Sequence, residues 1–259
     1  MYGSAESQDG GRSPSRLPVP PIVLRCLRVG VLPGLRFVTL SDRLLNELEP
    51  AEVEAVFGHE VGHFKHRHVL FYVAFLAGSL MALVGAWALL EREALPGLIP
   101  PAWVPTYQEW GAVPAVALIG AYVFVAFGML SRRCERQADV FGCRAVSCGL
   151  AFCDGHEAEL PVAAAGLCPT GVRTFIQALE KVTRLNGVSL RKPGRLQSWL
   201  HGSTAARLEF LELMLRDPRL EPRFQRRLGL VKWGLLVALG AVLLGLGATS
   251  GWEALLGGM

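Results

Sequence analysis

Long basic runs are missing from this sequence: its 22 arginines and 4 lysines leave a net charge of only +4 and stay scattered, which argues against nucleic acid as a partner. Close CxxC pairs are missing too. Cys143, Cys148, Cys153 and His156 therefore lack the spacing of a zinc knuckle, and a second metal site there is a weaker reading than ordinary small buried side chains. Residues 1–21 contain no apolar stretch of the kind that marks a secretory leader. They are polar and rich in Ser, Gly and Pro, which reads as a disordered tail and leaves membrane insertion to internal segments. No internal repeat is present.

What the chain has in excess is apolar surface, with 51% hydrophobic residues and a mean hydropathy of +0.35, more than a soluble core requires. Three stretches, Val69 to Leu90, Gly111 to Leu130 and Trp233 to Trp252, contain no charged residue. Each reaches the roughly 20 apolar residues needed to cross a hydrocarbon core of about 30 Å. Lys65, His66, Arg67 and His68 precede the first span and Arg132, Arg133 and Arg136 follow the second. The loop between them carries Glu91, Arg92, Glu93 and Glu109. The positive-inside rule then puts the basic ends in the cytoplasm and the loop outside. Arg223, Arg226, Arg227 and Lys232 before the third span agree, so the C-terminus is expected outside. Cys26, Cys134, Cys143, Cys148, Cys153 and Cys168 all fall on the cytoplasmic side of this topology, where no structural disulfide is expected.

Ile22 to Leu40, broken at Gly30, Pro33 and Gly34, predicts two short strands around a turn. Ser41 and Asp42 can cap a short helix through Glu47, and Glu49, Pro50 and Ala51 open the next. No proline interrupts Ala51 to Leu90, so that helix can run straight into the membrane. Arg132 to about Val146 is expected to be helical and Ser147 to Pro169 irregular. Thr170 is then expected to cap a helix whose buried face is Val172, Phe175, Ile176, Leu179 and Val182. After a polar loop from Asn186 to Arg195, Ser203 can cap a last cytoplasmic helix with Leu208, Leu211 and Leu215 on its apolar side.

The strongest motif is His59-Glu60-Val61-Gly62-His63, an HExxH. Residues four apart share one face of a helix, so both imidazoles can reach one tetrahedral zinc ion, with Glu60 beside them to take a proton from a water that zinc acidifies. A catalytic zinc needs a third protein ligand. Val69 stands where the extended metzincin motif has its histidine, which excludes that subclass. His66 is a strained alternative. Glu135 is better placed: His63 lies six residues before the first span and Glu135 five after the second, about 9 Å and about 7.5 Å along a helix. An antiparallel hairpin brings them together although 71 residues intervene. Asp139 shares the face of Glu135 and can accept the free ring N–H of a ligating histidine, which fixes its tautomer. The competing reading of Glu135 is a solvated charge row with Arg132, Arg133 and Arg136.

These residues resemble the membrane-embedded gluzincin peptidases of the HtpX type, related to the CAAX prenyl endopeptidases. The resemblance runs from about Gly34 to Arg216. It takes in Leu35 to Asp42, the HExxH, the stretch from Arg132 to Asp139, Ala178 to Lys181, and His201-Gly202-Ser203-Thr204-Ala205-Ala206-Arg207. It implies that His201 and Arg207 approach the metal, stabilising the oxyanion or ordering the site. Gly202 stands where the family usually has proline. The family also commonly has further N-terminal helices and an asparagine near Arg25, so the chain reads as truncated or as a short variant.

The expected molecule is a mostly α integral membrane protein. A tail over residues 1–21 precedes a strand ribbon and zinc helix over 22–68 and a transmembrane hairpin over 69–130. The second half of the peptidase domain follows over 131–227, with a C-terminal span over 228–259. The zincin-like domain, holding one Zn²⁺ per chain, faces the cytoplasm from a bacterial inner membrane. An extended or unfolded peptide is its expected substrate, held by β-augmentation on the ribbon, in quality control or processing of membrane proteins. The rival reading is a non-enzymatic membrane sensor or scaffold that retains a zincin-like domain. The topology has its own test: in intact cells, a cysteine introduced at Thr106 reacts with a membrane-impermeant thiol reagent and one at Asn186 does not. The reverse labelling pattern would overturn the orientation.

Overall fold

The computed structural model describes residues 26–29, 37–93, 95–147, 167–187, 199, 201–217 and 219–250. The N-terminal tail, Cys148, Cys153, His156 and Trp252 lie outside them, as does most of the expected irregular stretch before Pro169. β1 (Cys26–Val29) pairs antiparallel with β2 (Phe37–Leu40), Cys26 opposite Leu40 and Val29 opposite Phe37. Ser41 caps α1 (Asp42–Glu47), its Oγ accepting the Leu44 N–H at 3.4 Å. Glu49 and Glu52 then form a reciprocal capping box around Pro50 at the start of α2 (Pro50–Lys65), which satisfies orphan donors and fixes where the motif helix begins.

The chain does not continue α2 into the membrane as one helix. His66 closes α2, its N–H donating to the Gly62 carbonyl. Arg67 takes a left-handed φ of 52°, and a separate α3 (His68–Glu93) begins. Neither glycine nor proline marks this break. Its cause is tertiary, since it turns the buried His68 back towards the motif helix. Short helices α4 (Leu95–Leu98) and α5 (Val104–Trp110) lead to α6 (Ala112–Ala145), which carries the second apolar stretch and the Glu135 motif on one unbroken rod. Beyond it lie α7 (Pro169–Leu185), α8 (Thr204–Arg216) and α9 (Leu220–Ser250). Among the described residues, α3, α6 and α9 are long and apolar enough to cross a membrane. Val73, Leu80, Val116, Val125, Val237 and Leu244 on these helices are exposed, as lipid-facing residues would be.

α7 starts differently from the expectation. Cys168 and not Thr170 is the N-cap; its Sγ accepts the Gly171 N–H at 3.3 Å, and Pro169 fills the first helical position, where its missing N–H costs nothing. Val172 and Phe175 are buried as the periodicity requires. Ser203 caps α8, whose buried residues are Phe210, Leu211 and Met214, with Leu215 at the edge. These join Ala55, Val140, Cys143, Leu167, Val172 and Phe175 in one core. A second apolar cluster of Phe71, Phe75 and Leu130, flanked by Val231, Leu235 and Leu236, ties the three long helices together. Cys134, Cys143 and Cys168 are buried and in no disulfide.

The decisive contact is between α2 and α6. A Cβ on Gly58 would sit 2.5 Å from the Ala145 Cβ. One on Gly62 would sit 2.8 Å from the Phe141 Cβ and 3.2 Å from the Ala138 Cα. Two helix backbones therefore meet through small residues spaced four apart, which is how helices approach closely. Gly62→Ala is expected to lower stability by about 1–3 kcal/mol through overpacking, read as a lower melting temperature of the detergent-solubilised protein. An unchanged melting temperature would show that the pair tolerates separation.

Candidate metal centre

The close approach of α2 and α6 sets His59 and His63 against Glu135. One ligand atom from each of the three lies within 4.8 Å of the other two. The two Nε2 atoms are 3.3 Å apart. Glu135 Oε2 lies 3.6 Å from His59 Nε2, and Oε1 lies 3.6 Å from His63 Nε2. His63 and Glu135 are buried, with His59 at the mouth of the site. Glu60, on the same turn, is also buried, at 8% exposure. His66, the alternative third ligand, is outside this group. Its half-buried ring stacks on His68 at 5.8 Å. Burial first, then the charges of Lys232, Lys65 and Arg144, lower its pKa to about 4.

The outer ring nitrogens face away from the cluster, each towards a polar side chain. His59 Nδ1 lies 2.9 Å from Asp139 Oδ1. Arg207 grips Asp139 with two bonds, Nε to Oδ2 at 2.8 Å and Nη2 to Oδ1 at 2.5 Å, the planar fork-to-fork geometry that makes such pairs strong. Its Nη1 reaches Glu135 Oε2 at 3.8 Å. Burial works to lower the Arg207 pKa, but the Asp139, Glu135 and Glu60 carboxylates outweigh it and raise the value above its ordinary level. Arg207 is therefore the fixed positive charge of an otherwise acidic pocket.

His201 comes from the other side. Its Nδ1 is 3.0 Å from Glu135 Oε1, and its side chain is 48% exposed. The segment that delivers it is pinned to α6 two residues earlier. The Trp199 indole stacks on Phe124 at 4.8 Å and donates to the Phe124 carbonyl at 2.6 Å, while Arg132 bonds the Trp199 carbonyl. Gly202 has φ 75°, which proline's ring cannot adopt, so glycine suits the backbone path that this chain takes into α8.

Comparison with known proteins bears on the same residues. Residues 28–150 match the model of Peptidase family M48. The matched segment holds His59, Glu60, His63, Glu135 and Asp139 and ends before His201 and Arg207. The chain is 32% identical over 122 residues to the CAAX prenyl protease 1 homolog of Dictyostelium discoideum, covering 42% of this chain and 26% of that protein. It is 36% identical over 73 residues to the Protease HtpX homolog of Methanocaldococcus jannaschii, 27% of this chain and 25% of the relative. Over 86 residues it is 36% identical to the Protease HtpX homolog of Pyrococcus abyssi, 32% and 30% of the two lengths. The matches thus span between a quarter and a third of the curated relatives. No solved structure matches the chain significantly. The resemblance read from the motifs and the families named by these matches agree.

Sequence reasoning passed over the support of His63, whose Nδ1 faces His68 Nδ1 at 3.0 Å. His68 counted only as a flanking charge, because five residues along a continuous helix is about 140° off the face of His63. Gln137, which contacts His68, sits inside the Glu135 motif, where its spacing alone assigns it no role. The Asp139 clamp carries a prediction. Arg207→Ala frees the carboxylate that orients His59 and is expected to weaken Zn²⁺ binding about 10- to 100-fold, measured by chelator competition. Wild-type affinity would mean that Asp139 holds His59 unaided.

Proposed function

We propose that this chain is a zinc-dependent membrane endopeptidase that hydrolyses peptide bonds at the cytoplasmic face of a bacterial inner membrane. The observation that carries the reading is the convergence of His59 Nε2, His63 Nε2 and a Glu135 oxygen within 4.8 Å, with the histidine Nδ1 atoms turned towards Asp139 and His68. Two imidazoles and one carboxylate form the donor set of a catalytic zinc and leave its fourth position open. When bound, zinc supplies a Lewis acid that polarises a carbonyl and lowers the pKa of water towards about 7. The protease names of the relatives support the same chemistry.

The chain's own residues divide the remaining work. Glu60 takes the proton of the attacking water and returns it to the leaving amine. His201, half-exposed at the rim beside Glu135, donates to the oxyanion that develops on the substrate carbonyl. Arg207, with its fork committed to Asp139, orders the site through His59 and adds positive charge beside Glu135. An extended or unfolded peptide is the substrate form that a strand ribbon can hold by adding to its edge. The domain layout follows: ribbon and motif helix over 22–68, membrane hairpin over 69–130, the second half of the peptidase domain over 131–227 and the third span over 228–259. Processing or quality control of membrane proteins suits a site at this height.

Two variants separate base, oxyanion donor and ligand. Glu60→Gln is expected to keep zinc and lose cleavage of an unfolded protein by about 100-fold or more. His201→Ala is expected to keep zinc and lower kcat by about 100-fold. Unimpaired turnover by Glu60→Gln would sink the mechanism. A wild-type protein that binds zinc and cleaves nothing would favour the sensor or scaffold reading.

A further inference from the structure

The two histidines of the motif are supported by different chemistry. His59 meets a carboxylate, the usual partner of a ligating imidazole. His63 meets a second imidazole instead, His68 Nδ1 at 3.0 Å from its own Nδ1. One of these nitrogens must donate and the other accept, so the direction of that bond decides whether His63 presents a bare or a protonated Nε2 to the site.

The remaining contacts settle the direction. Lys232 Nζ, from α9, lies 3.0 Å from Gln137 Oε1. An ammonium group only donates, so the Gln137 atom facing it is the carbonyl oxygen. The Gln137 amide nitrogen is turned the other way and donates to Gln225 Oε1 at 2.5 Å. His68 Nε2 lies 2.9 Å from that same Gln137 Oε1 and must donate its proton to it. A neutral imidazole has one N–H, so His68 Nδ1 is bare and accepts from His63 Nδ1. His63 Nε2 is then the unprotonated nitrogen, facing His59 Nε2 and Glu135 Oε1.

We propose that His68 is a positioning residue for the metal centre, its orientation set through Gln137 by Lys232 of the third long helix, so that His63 holds the one tautomer able to ligate. The relay explains the break after α2. On a continuous helix His68 would point about 140° away from His63. The left-handed Arg67 swings the ring back, and such a conformation at a non-glycine residue is a cost that persists where the surroundings demand it. Burial is complete at His68, 0% exposed, and Gln137 is 6% exposed, so water does not offer either ring nitrogen a competing partner.

The relay rests on the metal reading, and its test tells the two apart. Zn²⁺ affinity by chelator competition and the Co²⁺ absorption spectrum are measured on the full chain in detergent, with the melting temperature of each metal-free variant as a check on folding. His68→Asn keeps an acceptor oxygen bonded to Cγ, where Nδ1 was bonded, and is expected to bind zinc within about 3-fold of wild type. His68→Leu removes the acceptor and is expected to lose about 10- to 100-fold, as other outer-shell deletions do. Gln137→Leu leaves His68 in place but unaligned, and is expected to lose about 10-fold; it decides the matter if the His68 variants do not fold. Equal affinities for Asn and Leu at position 68, or wild-type affinity in Gln137→Leu, would overturn the relay. A wild-type chain that takes up neither ion would overturn the metal reading and the relay with it.

Discussion

Everything at the site depends on how near two helix axes can come. α2 brings both histidines and α6 brings both carboxylates, and side chains of this length converge on one point only if the backbones are nearly in contact. Gly58 and Gly62 on one side, and Ala138 and Ala145 on the other, remove the side chains that would hold them apart. Gly62 thus does two things within the motif. It is silent chemically, and it sets the distance from His63 to Glu135.

The membrane supplies the second constraint. Leu130 is buried in the cluster that joins the long helices, and Glu135 lies five residues further on, about 7.5 Å along the same rod. No loop intervenes, so the height of Glu135 is fixed by the helix that carries it. α9 adds Lys232 and Gln225 at the same level. A third hydrophobic segment, which by composition is only an anchor, is thereby wired to the polar network around His63. The salt bridges Lys181–Glu52 and Arg144–Glu221 tie α7 to α2 and α9 to α6 around it.

Periodicity made much of this legible. HExxH and the Glu135–Asp139 spacing each declare one face of a helix, and the hairpin follows from counting residues to the spans. Ser41, Glu49 with Pro50, and Ser203 announce their helices by local capping chemistry, which depends only on neighbours in sequence. What escaped was set by tertiary contact. The break at Arg67 has no glycine or proline to signal it and accompanies the contact of His68 with His63. Cys168 caps α7 through a sulfur acceptor, a weak local signal that the more familiar Thr170 outweighed. α8 buries Phe210 and Met214 beside Leu211 in the core that holds Phe175, a tertiary contact that periodicity alone does not select.

The relay and the clamp together draw on residues from His59 to Lys232, and that spread has a consequence for biosynthesis. A nascent chain that has inserted its first hairpin holds the motif histidines and Glu135, yet Arg207 and Lys232 are still to be translated. If the clamp and the relay act as proposed, the geometry around His59, His63 and Glu135 is a late product of synthesis, complete only once the last apolar helix has packed against the others. On the proposed reading, an unfinished or misinserted chain lacks a complete catalytic site.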